Sequence, residues 1–245
     1  MAKQSGILNP LPELIPILAK KIWTEIQPYG SHDWRLPENK SLLEVIVGQE
    51  ESQRVYDIAD TALQNIEIRK LLSGPLKSSD HAFRVKAMNW VVVHWGRIPK
   101  GRDAYEGWAE QLKSYDKTTI DNFVQEKNGY RISSWSKILA FADCTNYAIY
   151  DSYVALALNS ILEKVEHCER FYLPDPRPEP IKAKFKEIRT YVRSNYPRRH
   201  PVYMGYFDYM LLLKYFVKNG FAENVLEVEM NLFAQGHTLA DSLNP

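Results

Sequence analysis

Residues 133–159 read SSWSKILAFADCTNYAIYDSYVALALN, and two side chains in this stretch could do chemistry together, Lys137 and Asp151. Ser133 or Ser134 can cap a helix that carries Lys137 in its first turn. A cation there opposes the helix dipole, and partial desolvation would make its amine form more available as a nucleophile. Asp151 stands at the start of SYVALALNSILEK, where a carboxylate can accept backbone N–H bonds that favour its ionised form. An amine facing a fixed negative charge suits a reaction that develops positive charge. The plainer alternative is that Asp151 is an ordinary helix cap and Lys137 an ordinary surface residue.

The elements that must position this pair read as helices almost throughout. Leu14, Ile17, Leu18, Ile22 and Ile26 form one apolar face, and Ser41 can cap a helix carrying Leu42, Leu43, Val45, Ile46 and Val47. Val55, Ile58, Ala59, Ala62 and Leu63 continue the pattern toward Gly74-Pro75. Ala82–Trp95 is apolar on most sides. It reads as a central helix in preference to a strand, because no partner strand is evident. Helical patterns follow at 104–112 and 120–126, and YLPDPRPEP (172–180) marks a joint. The expected class is all-α: one two-lobed unit over 1–245, with a core at 41–165 and a C-terminal helical segment at 172–245.

With 245 residues and 45% hydrophobic composition, the chain can bury a sizeable core. Lys plus Arg is 31 and Asp plus Glu is 30, so net charge does not argue for nucleic acid, and only its distribution could. That distribution is uneven. Lys182, Lys184, Lys186, Arg189, Arg193, Arg198 and Arg199 meet only Glu187, whereas the segment from Phe221 carries Glu223, Glu227, Glu229 and Asp241 with no Lys or Arg. Two cysteines, Cys144 and Cys168, are too few for a four-thiolate metal site and suit a reducing compartment. The N-terminus has no long apolar core, and no apolar run approaches membrane-spanning length. The expectation is a cytoplasmic monomer that needs no metal or other cofactor and does not engage a membrane.

Two stretches carry a family resemblance. SLLEVIVGQEESQRVYDIADTAL (41–63) resembles the early helix pair of the helix–hairpin–helix DNA glycosylase superfamily, which includes endonuclease III and 8-oxoguanine DNA glycosylases. Gln49 stands where that pair places a glutamine after its first helix. YAIYDSYVALALN (147–159) is similar to the family segment with the catalytic aspartate at a helix start, and Asp151 matches it. Together the two pieces span roughly 41–165. The departure is in the hairpin: RISSWSK (131–137) lacks the family's Gly-rich L-P-G-x-G stretch. Placing Lys137 in the lysine column requires a shortened loop to Asp151 and implies a Schiff-base nucleophile. Aligning without that gap puts Ile132 or Ser133 in the column, makes Asn128-Gly129 the hairpin turn, and implies that Asp151 works with a water.

The resemblance implies a DNA glycosylase with DNA as its partner. Cleavage of an N-glycosidic bond builds oxocarbenium-like charge that Asp151 would stabilise. The target base must leave the helix, and Gln49 would help fill the gap. Ser133, Ser134, Arg198 and Arg199 would contact DNA, and Trp90, His94, Trp95 and Trp135 would wall the pocket of the flipped base. The divergent hairpin motivates an unusual modified base, such as one in phage DNA, and with it an antiviral role. The alternative is a noncatalytic helical module that binds DNA or protein on the same architecture.

Overall fold

The computed structural model describes residues 11–26, 34–98, 102–164, 171–174 and 202–241. Among the described residues there is no strand, so the all-α expectation holds. In chain order the helices are α1 (Leu11–Glu25), α2 (Ser41–Val47), α3 (Gln49–Tyr56), α4 (Thr61–Leu76), α5 (His81–Asn89), a π-helix (Trp90–Trp95), α6 (Arg102–Gln111), α7 (Lys117–Lys127), α8 (Ile132–Ala142), α9 (Ser152–Lys164), α10 (Val202–Lys218) and α11 (Val225–Asp241). No described helix is long and apolar enough to cross a membrane.

Helix starts follow local chemistry. Asp60, Asp80 and Asp116 accept from the backbone N–H of Leu63, Phe83 and Thr119, which fixes the first turns of α4, α5 and α7. The Asp116 carboxyl is lowered to about 2 by hydrogen bonds from Ser114 and Thr119. At α2 the cap differs from the sequence expectation. Ser41 is the first helical residue, and Asn39 Oδ1 accepts from both its N–H and its hydroxyl.

The apolar stretch at 82–95 is helical, as read, but in two pieces. After Asn89 the ladder loosens to a π turn, with Gly96 N–H donating to Val91 O and Ile98 N–H to Val92 O. Accommodating Trp90, the Val91–Val93 run and Trp95 within one buried segment is what such a widened turn permits, and π turns of this kind are often found at functional sites.

Helix α9 packs most extensively on α11, α1 lies on α10, and α4 packs against α8, α5 and α2. A single apolar cluster runs through both groups, from Ile15 and Ile22 to Val228 and Leu232. Phe171 is pinned to α9 by Asn159, whose amide donates to Phe171 O and accepts from its N–H. Helices α9 and α11 approach closely at Gly236, where an added Cβ would lie 2.6 Å from Tyr153 O. Gly236→Ala is therefore expected to force the two helices apart and lower stability by about 1–3 kcal/mol, read from the urea midpoint.

Candidate active site

Between α8 and α9 the chain makes a turn at 143–147 and then crosses the protein interior without helix or strand pairing, and Ala148, Ile149 and Tyr150 are fully buried. Buried backbone without helix or sheet partners must find side-chain partners. It does so from three helices. Tyr206 and Tyr209 of α10 donate to Ala148 O and Ile149 O, each at 3.1 Å. Glu229 of α11 accepts from Ile149 N–H at 2.8 Å, and Ser136 of α8 accepts from Tyr150 N–H at 3.0 Å. Burial pushes the Tyr206 and Tyr209 hydroxyls well above the usual phenol range, so both remain protonated donors.

This strap delivers Asp151 to the start of α9. Its Oδ1 accepts from Tyr153 N–H at 3.0 Å and Val154 N–H at 3.3 Å, a side-chain cap. Its Oδ2 accepts from Lys137 Nζ at 3.1 Å. The sequence pairing of these two residues is therefore a direct, buried ion pair. The details differ from expectation. Helix α8 begins at Ile132, with Arg131 at the cap position in a left-handed conformation, so neither Ser133 nor Ser134 caps it. Lys137 is the sixth residue of the helix, in its second turn, and the dipole argument for a free amine does not apply to it. Its stem fits because Gly96 has no side chain: an added Cβ there would lie 3.0 Å from Lys137 Cδ.

The loop before α8 is a tight hairpin from α7. Asn128 (φ 41°), Gly129 (φ 84°) and Arg131 (φ 56°) all take positive φ, Tyr130 N–H donates to Lys127 O, and Ile132 N–H donates to Gly129 O. The turn thus falls at Asn128-Gly129. Tyr130 is exposed at its tip, Ser133 is half-buried and Ser134 is buried.

The proposed pocket residues separate. Trp135 is fully buried, donates to Tyr130 O and packs edge-on against Phe123 and Tyr206, so it braces the hairpin from inside and cannot wall an open pocket. Trp90 is also buried in the core. His94 is half-buried, and burial lowers its pKa so that it is neutral at pH 7. Trp95 does line a cavity. Gln49 is exposed at the first position of α3, after Gly48 at φ 87°. Arg198, Arg199 and the rest of the 182–199 run lie outside the described residues.

The cavity that Trp95 lines is also bounded by Trp34, Asn65, Arg69, Ile149, Glu229 and Phe233. Arg69 and Glu229 form a bidentate pair, Nη1–Oε2 at 2.9 Å and Nη2–Oε1 at 2.7 Å, with both side chains almost fully buried. The Arg69 guanidinium lies over the rings of Trp95 and Phe141. Trp95 Nε1 donates to Asn65 Oδ1. Phe233 contacts both Trp34 and Tyr153, linking the cavity wall to the residue two places beyond Asp151.

Sequence reading missed Arg69 and Glu229, and it counted Glu229 only among the acidic residues of the segment from Phe221. The signal was present. Ala62, Asn65, Arg69, Leu72 and Leu76 share one face of α4, and Val225, Glu229, Leu232 and Gly236 share one face of α11. Among the described residues no group of His, Cys, Asp and Glu is arranged to hold a metal ion.

No protein-family model, curated protein or solved structure matches the chain.

Removing either partner of the Lys137–Asp151 pair leaves a buried charge, so Lys137→Met is expected to cost about 3–5 kcal/mol. A double-mutant cycle with Asp151→Asn should give a coupling energy of about 0.5–3 kcal/mol by urea denaturation, whereas two independent residues would give additive losses.

Proposed function

We propose that the chain is a DNA glycosylase that excises a flipped, damaged or modified base by hydrolysis and leaves an abasic site. The observation that carries this reading is the buried Asp151 carboxylate, capped by two backbone N–H groups and held by Lys137, two residues along the chain from Ile149, which lines an aromatic-walled cavity. Three features support it. The Asn128–Arg131 turn joins α7 to α8, and the gapless alignment of the family resemblance expects a hairpin turn at Asn128-Gly129. Gln49 projects from a glycine turn, exposed and available to enter a gap in stacked DNA. The contact pattern is compatible with the two-lobed reading, since α4 packs against α2, α5 and α8 while α9 packs on α11 and α1 on α10.

In this mechanism the bond between C1′ and the base nitrogen breaks, and its electron pair leaves with the base, which takes up a proton. Positive charge spreads over C1′ and the ring oxygen, and the Asp151 carboxylate stabilises it. A water then adds to C1′ and gives up its proton to the carboxylate or to solvent. Lys137 is a positioning residue: its ammonium is already hydrogen-bonded to Asp151 and its side chain is 4% exposed, which leaves no room for attack on a sugar carbon. The gapless alignment, which puts Ile132 or Ser133 in the lysine column, agrees with this assignment.

A second reading has its own observation. Both Asp151 oxygens are engaged in hydrogen bonds, as they would be if the residue were only a structural staple in a noncatalytic DNA-binding module.

Aldehyde-reactive labelling of undamaged, oxidised, alkylated, uracil-containing and phage-derived hypermodified DNA separates the two. The enzyme is expected to generate label on at least one substrate, with Asp151→Asn reducing it at least a hundredfold while still binding DNA. No label on any substrate, with salt-sensitive DNA binding intact, would establish the noncatalytic module. Borohydride should trap no covalent protein–DNA adduct, and a trapped adduct that disappears in Lys137→Gln would reassign Lys137 as the nucleophile.

A further inference from the structure

The glycosylase reading leaves the base unnamed, and the cavity beside the strap carries information about it. This inference rests on that reading and concerns the same site. Arg69 is 3% exposed, and its Nε–H has no hydrogen-bond acceptor, although buried guanidinium donors ordinarily find one. A guanidinium carries five N–H donors in a fixed plane. Glu229 takes one from Nη1 and one from Nη2, end-on. That arrangement leaves the other fork of the same group, Nε–H and the second N–H of Nη2, pointing in parallel along its side. Such a fork matches two adjacent in-plane acceptors.

The surroundings select a flat ligand. Trp34, Trp95 and Phe233 present aromatic surface to the cavity, and Asn65 is fixed there by donating to Trp34 O and Thr61 O and accepting from Trp95. Because Glu229 already neutralises Arg69, the pocket favours a neutral ring over an anion such as phosphate. Its location fits the chemistry. Ile149 lines the cavity and lies two residues, at most about 7 Å of chain, from Asp151. The cavity itself is about 20 Å³, far smaller than a base, so occupancy requires the half-buried Trp34 and Phe233 rings to turn outward.

We propose that this cavity is the base-recognition subsite, and that Arg69 selects bases with two adjacent in-plane acceptors. Two kinds of base have that edge: cytosine and its derivatives, through O2 and N3, and 6-oxopurines such as guanine and hypoxanthine, through O6 and N7. Thymine and uracil alternate acceptor, donor, acceptor, and adenine has no adjacent acceptor pair. Both groups are excluded.

The test uses full-length Asp151→Asn protein, which cannot turn over, and fluorescein-labelled single-stranded 11-mers of thymine with one central cytosine, hypoxanthine, uracil or adenine. Anisotropy titrations are expected to show roughly tenfold tighter binding for cytosine or hypoxanthine than for uracil or adenine, and which of the two leads identifies the source. Arg69→Lys, which retains the charge but lacks the fork, should keep general affinity and lose the preference. Salt-sensitive binding that is equal within twofold for all four oligomers overturns the inference and leaves the glycosylase reading intact. If no oligomer binds, the nucleic-acid reading falls, and saturation-transfer NMR with the free bases and wild-type protein decides the pocket. Transfer to cytosine or hypoxanthine alone supports it, and equal or absent transfer overturns it.

Discussion

Everything at the centre of this protein depends on burying a non-helical segment of backbone inside an all-helical fold. A helix satisfies its own polar groups, but the strap at Ala148–Tyr150 cannot, and an unpaired buried N–H or C=O costs about 1–3 kcal/mol. Tyr206, Tyr209, Glu229 and Ser136 are the solution, each a polar side chain on an otherwise apolar helix face. Their positions are consequently not interchangeable with apolar residues of similar size. The same constraint fixes Arg69, because a buried Glu229 needs a counter-charge, and it fixes the direction in which Asp151 enters α9.

The two buried ion pairs, one bonded to the middle of this strap through Ile149 N–H and one at the residue that follows it, differ in kind. Arg69–Glu229 is a doubly bonded pair whose guanidinium lies against the touching rings of Trp95 and Phe141, and its acceptor also serves the backbone. Lys137–Asp151 is a single contact between a flexible stem and a carboxylate whose other oxygen caps a helix. The first is rigid and suited to shape recognition. The second pairs the carboxylate with one buried ammonium whose stem is fitted against Gly96.

How much of this was legible varied with the physics that determines each feature. Helical periodicity sufficed for the class and for most elements, since it depends only on residue spacing. The partnership of Lys137 and Asp151 was also readable, because both residues lie in one short segment. Their local settings were not: the start of α8 is set by three positive-φ residues at Asn128, Gly129 and Arg131, and no serine cap announces it. Nor did the sequence distinguish Trp95, which lines the cavity, from Trp90 and Trp135 in the core, since all three are aromatic residues in apolar stretches. Arg69 and Glu229 were hidden by distance along the chain. Each lies on an apolar helix face where a lone charge is a visible anomaly, but their pairing across 160 residues requires the tertiary fold.

The groups that satisfy the strap have a further consequence for how the chain acquires its structure. Residues 69, 136, 206, 209 and 229 must all be present before the backbone at 148–150 can leave water without loss, so the centre closes only after α10 and α11 have been synthesised. Contacts separated by so much chain are slow to form, because loop closure precedes any return from them. The helices up to α8 can collapse early on their own apolar faces, while the centre that α11 completes is assembled last. The buried centre, on this route, is complete only once α11 is in place.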